Sequence, residues 1–272
     1  MRRTECYKKD FTFADLLKSC GHKQNLSGVF TLHAHFLELG FLDTKPGTST
    51  TLIQTYAKCG ALREARKVLE NLHVRNVVSW TALIAGHVEQ NVGDKALICF
   101  EKMQREGLYP NAFTFVCVLK ACGSIGASSK GKEIHDAILR QPLLLKDILI
   151  GTALVDMYAK CGADAHAQKV FDELQNRNVI CWNALITGYA QLGRHYEANM
   201  CLERMRNMGL SPDAITFMCF LKACGSIGAM DKVREVHAEV ESRGMVTTNV
   251  VGNTLVHIYA KCGLISKAQQ VF

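Results

Sequence analysis

Residues 77–111 contain two apolar stripes of helical spacing. The first advances by three, one and four residues, which places its members on one helical face: Trp80, Leu83, Ile84 and Val88. The pattern breaks at Gly93, and a second stripe follows: Ala96, Leu97, Phe100 and Met103. Gly107 then stands where a glycine commonly ends a helix, and Pro110 follows three residues later. The segment therefore predicts a hairpin of two helices.

The same pattern returns further along the chain. Residues 179–213 carry the equivalent positions: Trp182, Leu185, Ile186, Tyr189, Met205, Gly209 and Pro212. Two strings also recur, namely KACGSIGA at 120–127 and 222–229, and YAKCG at 56–60, 158–162 and 259–263. The shared period is 102 residues, shortened to 101 near the C-terminal end. A single hairpin is too small to bury its apolar face, so the sequence predicts stacked hairpins with a continuous core.

Each period divides into three units of slightly different length. Units that begin near F-T-F or I-T-F run over 10–45, 112–147 and 214–248. Units that contain YAKCG run over 46–76 and 148–178, and a partial one covers 249–272. Units that contain V-x-W or I-x-W run over 77–111 and 179–213. Residues 1–9 form an N-terminal flank, and the rest is predicted to be one repeat array.

These motifs together resemble the pentatricopeptide repeat family of plants. The resemblance rests on V-x-W-[TN]-x-L-I, LKACGSIG, and LVxxYAKCG followed by AxKVF, in units of cycling length. It is closest to the subclass that alternates long, short and standard repeats, here in the order long, short, standard from residue 10 onward. The fold that it implies is all-α, a right-handed superhelical solenoid of helix-turn-helix repeats. Because the last repeat stops inside its second helix, we expect a fragment without the C-terminal extension, E or DYW, of that subclass.

Composition adds only a modest preference for a polyanionic partner. Lys and Arg outnumber Asp and Glu by 32 to 25, for a formal charge of +7. No apolar run is long enough for a membrane span. Twelve cysteines are present, but no Cys-x-x-Cys pair occurs, so neither a metal nor another cofactor is predicted. The first nine residues include four basic ones but are too short for a secretory signal, and an organelle transit peptide would be longer, Ser-rich and poor in acidic residues.

One fragment of a catalytic signature is present. His237-Ala238-Glu239 matches the first half of a zinc-deaminase signature, but the Pro-Cys-x-x-Cys half is missing. The histidine also recurs with the repeat period, as His33 and His135. The sequence therefore predicts that this chain is not an enzyme.

The resemblance implies that each repeat reads one RNA base through two side chains. These are the fifth residue of the first helix and the last residue of the repeat. Thr with Asn implies adenine, in the pairs Thr50 and Asn76, Thr81 and Asn111, and Thr152 and Asn178. Asn with Asp implies uracil, in the pair Asn183 and Asp213, and Asn253 favours a pyrimidine weakly. An alternative is that the threonines are surface residues and that the last residues cap the next helix.

The long repeats depart from this pattern. Their fifth residues cannot read a base edge by hydrogen bonding: Ala14, Val116 and Met218, paired with Lys45, Asp147 and Thr248. We expect spacers there, or contacts by shape, and a footprint of A, A, any, A, U, any from the repeat 46–76 onward. Apolar second residues are expected to sandwich the bases: Val78, Leu149, Ile180 and Val250, with Phe11, Phe113 and Ile215 in the long repeats. Gly47 does not fit, and burial in the core is the alternative for each.

The function implied by the resemblance is single-stranded RNA recognition in a mitochondrion or chloroplast. The subclass commonly selects cytidines for C-to-U RNA editing, with the deaminase in a C-terminal extension or recruited as a separate protein. We therefore expect a specificity factor for RNA modification or processing, with no membrane partner. A helical-repeat scaffold for protein–protein interaction is the alternative.

Overall fold

The computed structural model describes residues 13–40, 46–141, 144–247 and 249–272. Within these ranges the regular secondary structure is entirely helical, as predicted. None of the described helices combines the length and apolar character that crossing a membrane requires. The chain divides into two compact units, Met1–Ile125 and Gly126–Phe272.

In the described part of the first unit, the helical residues 13–22 are followed by six helices. They are α1 (Leu26–Glu38), α2 (Pro46–Lys58), α3 (Leu62–Glu70), α4 (Val77–Glu89), α5 (Gly93–Arg105) and α6 (Ala112–Ile125). The first helix of each repeat packs against the second helix of its own repeat and against the first helix of the next repeat. Thus α2 packs against α3 and α4, and α4 packs against α5 and α6. Each hairpin thereby buries the apolar face that it cannot cover alone.

The second unit repeats this arrangement. It contains α7 (Ser128–Leu139), a 3-10 turn (Leu144–Lys146), α8 (Ile148–Lys160), α9 (Asp164–Glu173), α10 (Val179–Gln191), α11 (His195–Asn207), α12 (Ala214–Ser226), α13 (Met230–Ser242), α14 (Asn249–Lys261) and α15 (Ile265–Val271). The first helices α8, α10, α12 and α14 pack in succession. Large side chains fill the layers between helices, including the fully buried Trp182, Tyr158 and Phe217.

Two glycines of the 77–111 repeat have different structural roles: one ends a helix and the other allows two helices to approach each other closely. Gly107 has φ +74° and ends α5, as predicted, with the Leu108 amide donating to the Met103 carbonyl at 3.3 Å. The prediction that Gly93 breaks the helical pattern is wrong, because Gly93 is the first residue of α5 and the turn lies at Asn91 (φ +54°). A Cβ at Gly93 would lie 2.6 Å from Cγ2 of Ile125, so glycine lets α5 approach α6.

The recurring histidines have a structural partner. Nδ1 of His33, His135 and His237 lies 2.9, 3.0 and 2.9 Å from the hydroxyls of Tyr56, Tyr158 and Tyr259, respectively. Each pair joins a second helix to the first helix of the next repeat. Burial lowers the pKa of these three histidines, so the neutral imidazole is favoured.

Candidate nucleic-acid interface

The fifth residues of the short and standard repeats lie on the first helices α2, α4, α8, α10 and α14. Thr50, Thr81 and Asn183 are only 8%, 3% and 7% exposed, whereas Thr152 is half-buried and Asn253 is exposed. The alternative that the threonines are surface residues is therefore wrong for Thr50 and Thr81. The next first helix covers them, because first helices pack in succession within each unit.

The last residues of the repeats cap the following helices. Oδ1 of Asn76, Asn111, Asn178 and Asp213 accepts a hydrogen bond from the amide three residues later, at 2.8–2.9 Å. The capping interpretation is thus confirmed in geometry. This bond uses Oδ1 alone, so it leaves the NH2 groups of the asparagines to other partners. Capping and base contact are compatible at the same residue.

Asn183 and Asp213 meet directly. Nδ2 of Asn183 donates to Oδ1 of Asp213 at 3.2 Å. The buried hydroxyl of Thr216 lies 2.6 Å from Oδ1 of Asn183 and 2.8 Å from Oδ1 of Asp213. Burial raises the pKa of Asp213, but hydrogen bonds from Thr216, Asn183 and Ile215 outweigh it and hold the pKa below its usual value. The carboxylate is therefore ionised and acts only as an acceptor at neutral pH.

Thr81 and Asn111 are joined through a third side chain. The Thr81 and Thr114 hydroxyls are 2.7 Å apart, and the Thr114 hydroxyl donates to Oδ1 of Asn111 at 2.9 Å. Thr81 also lies 2.6 Å from the carbonyl of Val77, so its proton serves one of two acceptors at a time. The pair is fixed by a network rather than by a direct contact.

Cys181 occupies the same place between Thr152 and Asn178. The Thr152 hydroxyl lies 2.8 Å from the Cys181 sulfur, and the Cys181 amide donates to Asn178. Ser79 likewise makes a reciprocal capping box with Asn76. Sequence reasoning missed the role of the buried third residue of the following repeat. In the four repeats this residue is Ser79, Thr114, Cys181 or Thr216. For Ser79, Thr114 and Thr216 the signal in the sequence is a cap residue followed three positions later by Ser or Thr, whereas Cys181 gives no such signal.

The second residues of the repeats form exposed apolar positions. Their exposed fractions are 45–63%, in Val78, Leu149, Ile180, Val250, Phe113 and Ile215. Burial in the core, the alternative for these residues, is wrong for all six. Gly47 presents no side chain at its exposed position, and Phe11 lies outside the described residues. An apolar side chain on the surface beside each capped helix start is available for a planar group.

The long repeats present no polar fifth side chain. Ala14, Val116 and Met218 are half-buried. Asp147 caps α8 by accepting from the Leu149 amide at 2.8 Å, whereas Lys45 and Thr248 lie outside the described residues. These observations leave the expected spacer role of the long repeats as a prediction.

A basic groove lies between α12 and α14 in the second unit. Its volume is about 260 Å³, and its lining includes Lys222, Asn253, His257 and Lys261. Both lysines are exposed. The groove therefore places two positive charges beside a fifth-position amide, an arrangement that suits a phosphate near a base.

The half-signature of a zinc deaminase is accounted for by packing. His237 is hydrogen-bonded to Tyr259, and Glu239 forms ion pairs with Arg206 and Arg243. The residues that the structure describes contain no cluster of three or more His, Cys, Asp or Glu suited to a metal.

The geometry defines a helical-repeat protein with a polar pair in its short and standard repeats and an exposed apolar second residue in most repeats. The PPR repeat family profile matches residues 75–124 and 177–226, and the PPR repeat profile matches residues 47–77, 152–179 and 253–272. The chain belongs to the pentatricopeptide repeat family.

Two relatives from Arabidopsis thaliana match over 97% of this chain. A chloroplastic pentatricopeptide repeat-containing protein is 35% identical, and a mitochondrial one is 33% identical. The chain spans 42% and 38% of the lengths of these relatives.

A crystal structure of the pentatricopeptide repeat protein PPR10 in complex with an 18-nt psaJ RNA element shares the fold. The TM-score is 0.72 at 22% identity, over 90% of this chain and 36% of that chain. This likeness confirms the predicted fold class, an all-α repeat of helical hairpins. The handedness of a superhelix stays a prediction.

Proposed function

We propose that this chain binds single-stranded RNA and reads one base for each short or standard repeat. The observation that supports it most is the recurrence of a polar pair in the short and standard repeats, with an exposed apolar second residue in each of these repeats except 46–76. The RNA-bound PPR10 structure has the same fold. A base is recognised in this way by stacking on the apolar side chain and by hydrogen bonds along its edge.

The Asn183–Asp213 pair fits uracil. The ionised Asp213 only accepts hydrogen bonds, and uracil presents an N–H on its Watson–Crick edge where adenine presents an acceptor nitrogen. The pairs that end in asparagine offer an NH2 donor instead, since capping engages only Oδ1. Thr50, Thr81 and Thr152 with their asparagines are accordingly assigned to adenine.

The expected footprint is A, A, any, A, U, any from the repeat 46–76 onward, with long repeats as spacers. Apolar contacts come from Val78, Leu149, Ile180 and Val250. Lys222 and Lys261 in the groove beside Asn253 attract the phosphate backbone. The chain recognises a site and performs no chemistry on it.

We further propose that the alternation of repeat lengths places the chain in the long–short–standard subclass. In that subclass the recognised site is a cytidine selected for editing, or a processing site, in a chloroplast or mitochondrial transcript. Relatives named chloroplastic and mitochondrial support an organellar location. A deaminase supplied as a separate protein or by a C-terminal extension would carry out the reaction.

The test is a change of base preference at one nucleotide. The double variant Asn183→Thr and Asp213→Asn converts the pair to the type found in the repeat 77–111, and its preference is expected to move from U to A. Binding is measured by fluorescence anisotropy with RNAs that differ only at that nucleotide. Equal affinity of the unchanged chain for the footprint RNA and for a scrambled RNA would refute base readout.

A further inference from the structure

A groove on the first unit lies away from the proposed RNA-binding residues. It is formed by α3, α4 and α5 and has a volume of about 340 Å³. Its floor includes Leu69, Trp80, Leu83, His87 and Cys99, all of them buried. On α4, Trp80, Leu83 and His87 lie about 140–200° around the helix axis from Val78, so the groove and the proposed apolar RNA contact occupy nearly opposite faces of this helix.

His87 leaves a polar atom without a partner at the floor of this groove. The residue is 6% exposed, and its Nδ1 is buried without a hydrogen bond. A buried polar atom without a partner is unfavourable, and a bound group that supplies the hydrogen bond would remove that cost. Burial lowers the pKa of His87, and Lys95 and Arg66 lower it further, so the imidazole is neutral. The floor therefore offers one neutral hydrogen-bonding atom among apolar side chains.

The rim of the groove is strongly positive. Four cationic residues contribute to the lining: Arg63, Arg66, Lys95 and Lys102. Glu70 is the acidic member of the lining and pairs with Arg66 at 2.7 Å. The described residues provide no ion pair for Arg63, Lys95 or Lys102, which lie on both sides of the groove.

The equivalent surface one period later carries larger side chains and the opposite charge. Phe171 and Tyr189 replace Leu69 and His87. The Phe171 ring packs against Trp182 at 4.5 Å, and the Tyr189 hydroxyl donates to Gln168 at 2.9 Å.

Charge also reverses between the two surfaces. Glu197 stands in place of Lys95, Ala165 in place of Arg63, and Asp164 in place of Leu62. Arg194 binds both Asp164 and Glu197 there, and Arg204 lies over the Trp182 ring. The open basic groove is thus a feature of residues 62–102 that the repeat architecture does not impose.

We propose that this groove binds an acidic peptide segment of a partner protein, which inserts an apolar side chain between α3 and α5. The apolar floor excludes a phosphate or sugar, and the Trp80 ring is too buried to stack on a base, so the lining favours a peptide over RNA. Carboxylates on either side of the inserted side chain would pair with Arg63, Lys95 and Lys102. The site is independent of base recognition by the fifth and last residues of the repeats.

The proposal is tested with fluorescein-labelled Asp-Glu-Leu-Phe-Asp-Glu by fluorescence anisotropy on the whole chain. Saturable binding is expected. The double variant Arg63→Ala and Lys95→Glu copies the surface one period later, and affinity is expected to fall about tenfold or more. His87→Tyr fills the floor and is expected to weaken binding to a similar degree. Lys132→Glu, an exposed charge reversal on α7, is the matched control and leaves peptide binding unchanged.

Two further measurements separate the outcomes. A peptide with Ala-Ala in place of Leu-Phe is expected to bind at least about tenfold more weakly, because the apolar floor then stays empty. Affinity for the footprint RNA is expected to be the same in the Arg63→Ala and Lys95→Glu variant as in the Lys132→Glu control. Absence of peptide binding, or binding insensitive to both groove variants, overturns the proposal. Selective loss of RNA binding in the groove variant assigns the groove to RNA and also overturns it.

Discussion

Thr216 is the side chain whose hydroxyl holds the Asn183–Asp213 pair together, and its replacement by valine isolates that role. The hydroxyl is fully buried and lies within hydrogen-bonding distance of both Oδ1 atoms. The Asp213 amide also donates to it at 3.1 Å. Valine has nearly the same shape, so Thr216→Val removes the hydrogen bonds without opening a cavity.

The expected loss of unfolding free energy in Thr216→Val follows from the hydrogen-bonding groups that the substitution leaves without partners. Losing the net contribution of a buried hydrogen bond costs about 0.5–1.5 kcal/mol, and leaving the buried Asn183 oxygen without a donor costs about 1–3 kcal/mol. The extra methyl of valine recovers about 0.8 kcal/mol. The amide of residue 216 still caps against Asp213, so part of the network survives. We expect a loss of about 2 kcal/mol in the free energy of unfolding.

Urea unfolding followed by circular dichroism measures this loss, with Thr216→Ser as the control. Serine keeps the hydroxyl and removes one methyl, so a loss of only about 0.8 kcal/mol is expected. The reasoning fails if the valine variant proves as stable as the serine variant, since the hydroxyl would then contribute nothing.

Three further outcomes are expected. The Ile180 side chain is 61% exposed, so Ile180→Ser is expected to leave the free energy of unfolding within about 0.5 kcal/mol of its original value. The same variant is expected to bind RNA several-fold more weakly. Equal RNA affinity in an anisotropy titration would contradict the stacking role. Lys222→Gln and Lys261→Gln are expected to reduce the slope of log affinity against log salt by about 0.7 for each phosphate contact, with base preference unchanged; an unaltered slope would place the phosphates elsewhere. Burial lowers the pKa of His135 below 6.5, so the contribution of this histidine to stability is complete above pH 6.5 and declines as the pH falls below that value. Thermal unfolding at pH 7.5 and at pH 5.5 should therefore show a smaller difference in His135→Gln than in the unchanged chain. An undiminished difference would count against this assignment.

The helical hairpins could be predicted from the sequence because their signals are local. The apolar spacing around Trp80 and the glycine at 107 depend only on the geometry of one helix and its end. Gly93 was misassigned because its purpose is a close approach to Ile125, which is 32 residues away in the chain. The apolar spacing within one helix does not show which residue of another helix it contacts.

The same difference between local signals and contacts between helices applies to the candidate site. The positions that the family resemblance implies pointed to the pair Asn183 and Asp213, and the structure brings the two into contact. They did not point to Thr216, because a threonine at that place also looks like an ordinary capping-box residue. The groove on the first unit was missed for a different reason. Its lining includes His87, which stands where Tyr189 stands one period later, and the effect of that difference depends on the surrounding side chains.

The last residues of the repeats cap helices, and we propose that they also contact bases; this proposed double role has a consequence for how the specificity of such a chain would change. The side chains favoured at helix N-caps are Asn, Asp, Ser and Thr, which are also short and present defined donors and acceptors. A replacement such as Asn178→Asp keeps an oxygen for the Cys181 amide, so α10 retains its cap at little cost in stability. It also replaces an NH2 donor by a second acceptor oxygen, which reverses the hydrogen-bonding character offered to a base. Specificity at one repeat can therefore change by single substitutions while the fold stays intact, because the cap requires only what all four residues share.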